Sequence, residues 1–198
     1  MREWVLVTGA WLAASGCAFW HMSEQAGVVV TELTPEPGIL LAENPVFSPA
    51  GDLVIFLPRG WFALDLGERA PAGTVVVGVN PEYTLALTVV LFRRAPADTA
   101  GQYDLLELAR QSFARHQARS AGALRLSSDF NVVRVGMKSF VVYHFSDGGR
   151  TVQVAVFVSS LGTVYELALF PLSLRAMEPP TEQERERMFY GVLRALQF

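Results

Sequence analysis

Apolar and polar residues alternate along much of the chain after residue 52, which predicts β-strands because successive strand side chains point to opposite faces. Leu85, Leu87 and Val89 share one such face. A strong hairpin signal, Ser146-Asp147-Gly148-Gly149, joins two of the later strands because glycine accepts positive φ. The predicted strands are residues 53–57, 74–79, 83–92, 140–145, 151–158 and 163–170, with weaker candidates at 123–126 and 132–135.

Two segments instead repeat their apolar residues at about 100° per residue, which predicts amphipathic helices. The first covers residues 103–119, and its apolar arc ends at His116. The second covers residues 181–196 and begins at a capping box, in which Glu184 follows Thr181 by three residues. The order of strands, helix, strands and helix predicts an α+β fold. We expect an antiparallel sheet of about six or seven strands with two main helices packed on it, covering one face.

Residues 1–16 have the pattern of a secretion signal. Arg2 precedes an uncharged, mostly apolar run over residues 4–14, which is too short to cross a bilayer core of about 30 Å as a helix. The small residues Ala14-Ser15-Gly16 then stand directly before Cys17, the only cysteine in the chain. This arrangement resembles the lipobox of bacterial lipoproteins. In that family the cysteine, whose thiolate is a strong nucleophile, becomes lipid-modified and N-terminal after cleavage.

The lipobox resemblance implies a location in the bacterial cell envelope, with the membrane bound through lipid on Cys17. Ala18, rather than aspartate, follows the cysteine, so the family rule implies the periplasmic face of the outer membrane in a bacterium with two membranes. Ala14 stands where lipoproteins usually have leucine, and Glu3 weakens the positive start of the signal. A plain signal peptide and a short membrane anchor are therefore the alternatives.

A proline-interrupted stretch separates the predicted signal from the strands. Pro35, Pro37 and Pro45 fix φ and remove backbone donors, which predicts an extended, loop-like segment. We expect residues 17–48 to comprise the lipidated cysteine and a tether that is partly docked on the folded part. Residues 49–198 are then expected to form a single α+β domain.

Composition excludes several classes of protein. Of 198 residues, 51% are hydrophobic, which argues against a disordered chain. The net charge of −3 provides no basic surface for nucleic acid, so no nucleic-acid partner is expected. A single cysteine excludes an internal disulfide and a cysteine-cluster metal site.

Several segments resemble the PsbP-like and DcrB-like group of α+β domains, over about residues 53–198. Its most distinctive element is Pro58-x-Gly60-Trp61 after the first strand. The segments that carry the resemblance are Phe56-Leu57-Pro58-Arg59-Gly60-Trp61, the mid-chain helix, Gly162-Thr163-Val164-Tyr165-Glu166-Leu167 and Arg187-Met188-Phe189-Tyr190-Gly191-Val192-Leu193. Known members include an extrinsic photosystem subunit, a Ran-binding import factor, periplasmic lipoproteins and chaperones of secreted toxins. The resemblance implies protein binding and supplies no catalytic motif or cofactor.

Candidate catalytic chemistry is sparse in the sequence. No hydrolase elbow, phosphate-binding loop or zinc-protease motif occurs. His21, His116 and His144 lie far apart, and the positions of the last two on apolar faces favour structural roles. A hydrolase that uses His144 with a nearby serine or acid is the enzymatic alternative. The acidic residues are scattered over probable loops, so neither a metal nor a cofactor is expected.

Arg59 and Trp61 are the candidate partner-binding residues, because tryptophan and arginine are enriched at interface hot spots. Core packing of Trp61 is the alternative role. The expected function is a non-catalytic binding or complex-stabilising domain on a membrane-anchored envelope lipoprotein, with another envelope protein as partner. The alternative is a binding module for an apolar small ligand or peptide held between helix and sheet.

Overall fold

The computed structural model describes residues 29–94, 104–172, 177 and 180–198. The described elements are β1 (Val30–Leu33), β2 (Val46–Phe47), β3 (Val54–Ile55), β4 (Phe62–Ala63), a 3₁₀ turn (Gly67–Arg69), β5 (Thr74–Val79), β6 (Leu85–Arg94), α1 (Leu105–Arg119), β7 (Arg125–Leu126), β8 (Asn131–Val135), β9 (Lys138–Asp147), β10 (Arg150–Val158), β11 (Thr163–Pro171) and α2 (Glu182–Ala195). The predicted signal, Cys17 and His21 lie outside the described residues.

Nine strands form one sheet in the order β1-β8-β9-β10-β11-β6-β5-β4, and β7 also pairs with β9. β1 and β8 run parallel, while the other described pairs are antiparallel. This architecture confirms the predicted α+β class. The sheet is wider than the expected six or seven strands because β1, β4 and β7 contain only two to four residues each. β7 falls within the weaker strand candidate at residues 123–126, whereas β1 and β4 are too short to show a period in the sequence.

The central strands build an apolar core on each face of the sheet. Val142 lies beside Ala155, which lies beside Leu167, and all three pack in the cluster under α2. One residue further along, Tyr143 pairs with Val154, and both pack in the cluster under α1. The two clusters are separate because neighbouring strand residues point to opposite faces.

The two helices therefore lie on opposite faces of the sheet, and the expectation that both cover one face is wrong. Leu108 and Ala109 of α1 belong to one core cluster, whereas Phe189 and Val192 of α2 belong to the other. The physical reason is visible in residues 140–143, which are consecutive apolar residues rather than an alternating series. A strand that is apolar on both faces needs a covering layer on each.

Both helices begin at side-chain caps. The Asp104 carboxylate accepts hydrogen bonds from the backbone N–H groups of Leu106 and Glu107, at 3.0 and 3.2 Å. The predicted capping box of α2 is confirmed, because Thr181 accepts from the Glu184 N–H while Glu184 accepts from the Thr181 N–H. Neither described helix is long and apolar enough to cross a bilayer.

Residues 29–47, called the N-terminal arm here, run from one edge of the sheet across α2. The Gly38 carbonyl accepts hydrogen bonds from the Arg187 guanidinium at 3.0 and 3.2 Å. Gly191 permits close contact with the arm, since a Cβ there would lie 2.6 Å from Ile39 Cδ1. Leu41 then bridges to Pro58, next to the strands of the opposite edge.

Candidate functional site

A groove of about 850 Å³ opens at the end of the sheet where β6 begins. Its walls are the turn after β3, the turn between β5 and β6, the first half of α2 and the N-terminal arm. The lining residues are Ile39, Leu40, Pro58, Arg59, Trp61, Asn80, Glu82, Thr84, Leu85, Met177, Pro180, Thr181, Glu184, Arg187 and Met188. The volume falls within the roughly 300–1,000 Å³ typical of ligand sites.

Both residues predicted to bind a partner lie in this groove, on a tight turn. The Trp61 N–H donates to the Pro58 carbonyl at 3.1 Å, and the Arg59 N–H donates to the Leu40 carbonyl at 2.8 Å. Gly60 has a φ of 82°, a left-handed conformation that favours glycine. The Pro-x-Gly-Trp spacing therefore forms a tight turn, and this turn places Arg59 and Trp61 side by side in the groove.

The Trp61 side chain has a packing role as well as an exposed surface. It is half-buried and contacts the core cluster under α2. A Cβ at Gly78 would lie 3.5 Å from the Trp61 ring and 2.8 Å from Leu57, so glycine leaves room for both side chains. The core-packing role and the groove-lining role therefore apply to the same ring.

Arg59 is exposed, and its guanidinium has no hydrogen-bond or ion-pair partner among the residues that the structure describes. Leu40, directly across the arm contact, is 71% exposed. An unpaired cation beside an exposed apolar side chain leaves both a charge and an apolar surface available to a ligand.

Asn80 fixes the wall formed by the turn between β5 and β6. Its side-chain oxygen accepts from the N–H groups of Thr84 and Leu85, both at 2.8 Å. Its amide nitrogen donates to the Thr84 hydroxyl at 2.8 Å and to the Glu82 carboxylate at 3.0 Å. Sequence reasoning missed Asn80, although an asparagine beside proline at a strand end is a turn signal.

The charged side chains of the opposite wall, at the start of α2, form hydrogen bonds with other groups of the same chain. Glu184 caps the helix, and the backbone hydrogen bond with Thr181 lowers its pKa below the ordinary value. Arg187 holds the carbonyl of Gly38. Together with the Asn80–Glu82 bond, these contacts leave Arg59 as the one lining charge without a partner among the described side chains.

His116 belongs to a buried polar network on the face of the sheet that α1 covers. Its Nε2 lies 3.0 Å from a Glu166 carboxylate oxygen, and Arg115 lies 3.0 Å from the other oxygen. Ser112 also donates to Glu166 and contacts the Tyr143 hydroxyl at 2.6 Å. Burial raises the pKa of Glu166, but the hydrogen bonds and charges of this network outweigh it and lower the pKa.

His144 does not complete a catalytic pair in the described structure. Its imidazole Nε2 is buried without a hydrogen-bond partner among the described residues, and the Ser128 hydroxyl contacts only its backbone N–H, at 2.8 Å. Burial lowers the pKa of His144, which Glu186 and Glu182 oppose. A general base needs a hydrogen-bond partner to orient it and a nucleophile within reach, and this imidazole contacts neither.

Asp52 forms a second buried network that the sequence did not indicate. Its carboxylate accepts hydrogen bonds from Ser48, Ser159 and Tyr165 at 2.7, 2.5 and 2.6 Å. Burial raises the pKa of Asp52, yet these hydroxyl donors outweigh it and lower the pKa to about 2. The network ties the turn between β2 and β3 to the turn between β10 and β11.

No group of three or more histidine, cysteine, aspartate or glutamate side chains is placed to hold a metal ion among the described residues. The groove likewise contains no histidine, cysteine or serine in its described lining. What the arrangement offers is a shaped surface with apolar contacts and a free guanidinium, which suits binding.

Structural comparison places this architecture among known folds, whereas no protein-family model and no curated protein sequence matches the chain. The solution structure of cyanobacterial PsbP (CyanoP) from Synechocystis sp. PCC 6803 aligns with a TM-score of 0.57 at 15% identity. The alignment covers 78% of this chain and 91% of that chain. The fold is PsbP-like.

Two further structures align with lower scores. LpqN, described as involved in cell envelope biogenesis of Mycobacterium tuberculosis, gives a TM-score of 0.40 at 18% identity, with 79% of this chain and 90% of that chain covered. A protein of Bacteroides thetaiotaomicron gives 0.39 at 15% identity, with 77% and 47% covered. A shared fold does not fix a function, which depends on the chemistry of particular sites.

Proposed function

We propose that this chain is a lipid-anchored protein of the bacterial envelope, and that its PsbP-like domain binds a segment of another envelope protein in the groove. The observation that carries the proposal is the pairing of an uncommitted Arg59 with the exposed surfaces of Trp61 and Leu40. Arginine and aromatic residues supply much of the energy of protein interfaces. A carboxylate next to an apolar side chain on the partner would match this surface.

The groove also favours binding over catalysis. The carboxylates in its lining accept hydrogen bonds from Thr181 and Asn80, and the Thr181 hydroxyl is used in the helix cap. The described lining therefore lacks an activated nucleophile with an adjacent base. The domain is accordingly proposed to be non-enzymatic.

The first prediction concerns anchoring. The Cys17→Ala variant should lose labelling by a palmitate analogue and shift almost entirely to the soluble fraction, because no thiol is left for the lipid. A Ser15→Ala variant keeps a small residue before the cysteine and should retain both properties. Continued membrane fractionation of Cys17→Ala, together with an unlabelled parent chain, would show that the chain is not a lipoprotein.

The second prediction concerns the groove. The Arg59→Glu variant should weaken partner binding by roughly tenfold or more, since it puts a like charge opposite a carboxylate. Position 59 is exposed, so the fold should be unaffected. Arg119→Glu is the matched control, because Arg119 is exposed at the end of α1 on the opposite face.

Photo-crosslinking in native membranes provides the measurement for this second prediction. A crosslinker at position 59 should give a discrete adduct with an envelope protein, and one at position 119 should give none. Equal adducts from both positions, or adduct formation that survives Arg59→Glu unchanged, would exclude the groove as the binding site.

An apolar small ligand is the second candidate, favoured by the apolar residues Ile39, Leu85 and Met188 in the groove. Native mass spectrometry of the purified chain distinguishes a bound small ligand from a protein segment as the occupant of the groove. A retained mass in the parent chain that is lost in a Leu40→Asp variant would support a small ligand rather than a protein segment.

A further inference from the structure

Two hairpin turns at the end of the sheet opposite the groove expose large apolar side chains. Met137 is 102% exposed in the turn between β8 and β9, and Leu161 is 69% exposed in the turn between β10 and β11. Such turns usually consist of glycine, asparagine, aspartate or serine, which need no burial. Met137 and Leu161 therefore contribute little to the stability of the isolated domain.

The two turns are neighbours, so their apolar side chains form one surface. β9 and β10 are adjacent antiparallel strands, which brings the start of β9 close to the end of β10. Residues 137–139 and 158–160 line a shared depression of about 420 Å³. This surface, comprising Met137, Leu161 and the depression between them, is called the turn surface.

The fold holds both turns firmly in place. The Ser159 hydroxyl donates to Asp52 at 2.5 Å and accepts from the Thr163 N–H at 3.2 Å, which fixes the turn that carries Leu161. The Lys138 ammonium donates to the carbonyl of Leu196 at 2.5 Å, which ties the other turn to the end of α2. Met137 and Leu161 are thus presented from a rigid support.

We propose that the turn surface rests on the lipid bilayer, with Met137 and Leu161 in the interfacial region. This inference rests on the lipid anchor of the proposed function. Twelve steps separate Cys17 from Val29, the first described residue, and a chain of that length spans at most about 40 Å. Val30, at the start of β1, pairs with Val132 of β8, which lies five residues before Met137, or about 17 Å at the usual strand rise. The tether is therefore long enough for the turn surface to reach the bilayer.

The charge of the two turns also suits a membrane surface. Residues 134–138 and 158–163 contain Arg134 and Lys138 and no acidic residue. Anionic lipid headgroups would repel exposed carboxylates at such a contact. Two acidic side chains are bonded to these residues: Asp52, which is buried and held by hydroxyl groups, and Glu32, which is paired with Arg134 at 3.4 Å.

This orientation places the groove away from the membrane. β11 runs from Thr163 at the turn surface to Pro171, which pairs with Leu85 beside the groove. Its 9 residues span about 30 Å at the usual strand rise. Arg59 and Trp61 would then face the aqueous compartment, where a partner segment can reach them.

Site-specific fluorescence on the lipidated chain tests the orientation. Because Cys17 is the only cysteine and carries the lipid, a cysteine introduced elsewhere is the single site for a thiol-reactive dye. Met137→Cys and Leu161→Cys variants report on the turn surface, and Glu82→Cys reports on the groove end. Each labelled chain is bound to vesicles of phosphatidylethanolamine and phosphatidylglycerol that contain a headgroup-spin-labelled phosphatidylcholine as quencher.

Dyes at positions 137 and 161 should lose roughly half of their emission or more, because interfacial side chains lie within about 5–10 Å of the headgroup boundary. The dye at position 82 should be quenched only weakly. Equal quenching at all three positions, or stronger quenching at 82, overturns the orientation. If the dyes at positions 137 and 161 become less accessible to solvent as the protein concentration rises in the absence of vesicles, two copies of the chain contact each other there. That result would also overturn the orientation. Failure of the parent chain to float with vesicles would instead contradict the anchor itself.

Discussion

The Glu166→Leu variant should lose about 3 kcal/mol of unfolding free energy, the largest effect that we expect from one side chain. Glu166 is 3% exposed and contacts Ser112, Arg115 and His116 of α1. Leucine keeps a similar volume but leaves three polar or cationic groups, those of Ser112, Arg115 and His116, without this acceptor. Removing one partner of a buried charged pair usually costs about 3–5 kcal/mol, and the partial exposure of Arg115 favours the lower end.

Urea unfolding of the purified chain measures this effect. Glu107→Leu is the control, because Glu107 pairs with Arg110 on the exposed side of the same helix, and such surface pairs contribute about 1 kcal/mol or less. A midpoint for Glu166→Leu that equals that of Glu107→Leu would contradict the structural role assigned to the network. Weakened packing of α1 should also appear as faster amide exchange in that helix.

The Asp52→Asn variant should make the stability of the protein less sensitive to acid. Asp52 has a pKa of about 2 in the folded chain, below its ordinary value of 3.8. A group whose folded pKa is depressed stabilises the protein above its unfolded pKa, and this contribution disappears as the pH falls through the folded pKa. A shift of nearly two units corresponds to about 2 kcal/mol at neutral pH, lost between about pH 4 and pH 2.

Unfolding free energies of the parent chain and Asp52→Asn, measured at a series of pH values, check this expectation. The difference between them should be about 2 kcal/mol at pH 7 and should shrink as the pH falls below about 4. Asp65→Asn is the control, because Asp65 is exposed and, among the described residues, accepts a hydrogen bond only from the Gly67 N–H. A difference that stays constant down to pH 2 would mean that the Asp52 carboxylate is not selectively stabilised by its hydroxyl donors.

The fold was largely predictable where the signals are local. The capping box at Thr181 and the hairpin turn at residues 146–149 each depend on a few adjacent residues, and both occur in the structure. The placement of the two helices on opposite faces was not predictable from the order of elements, because that order does not say which face of the sheet each helix covers. The consecutive apolar residues 140–143 did carry that information.

Parts of the candidate site were also predictable. Arg59 and Trp61 are predictable from their residue types, which are enriched at interface hot spots. Leu40 joins them only through the path of the N-terminal arm. Glu166 was detectable as the single charge within the apolar strand β11, whereas its partners lie about fifty residues away. Asp52 sits in a segment that resembles an ordinary surface turn, so nothing local predicts its hydroxyl partners.

The contact between the N-terminal arm and α2 affects the order in which the protein can mature. Gly38 and Arg187 are separated by 149 positions, and Val54 pairs with Gln197, which follows α2. A chain that emerges N-terminus first, from the ribosome or through a translocon, cannot form the contacts of Gly38 and Ile39 until α2 has followed. These contacts therefore form only after α2 has been synthesised or exported, and a protein that lacks α2 would lose the contacts at Gly38 and Ile39 while keeping the pairing of β1 with β8.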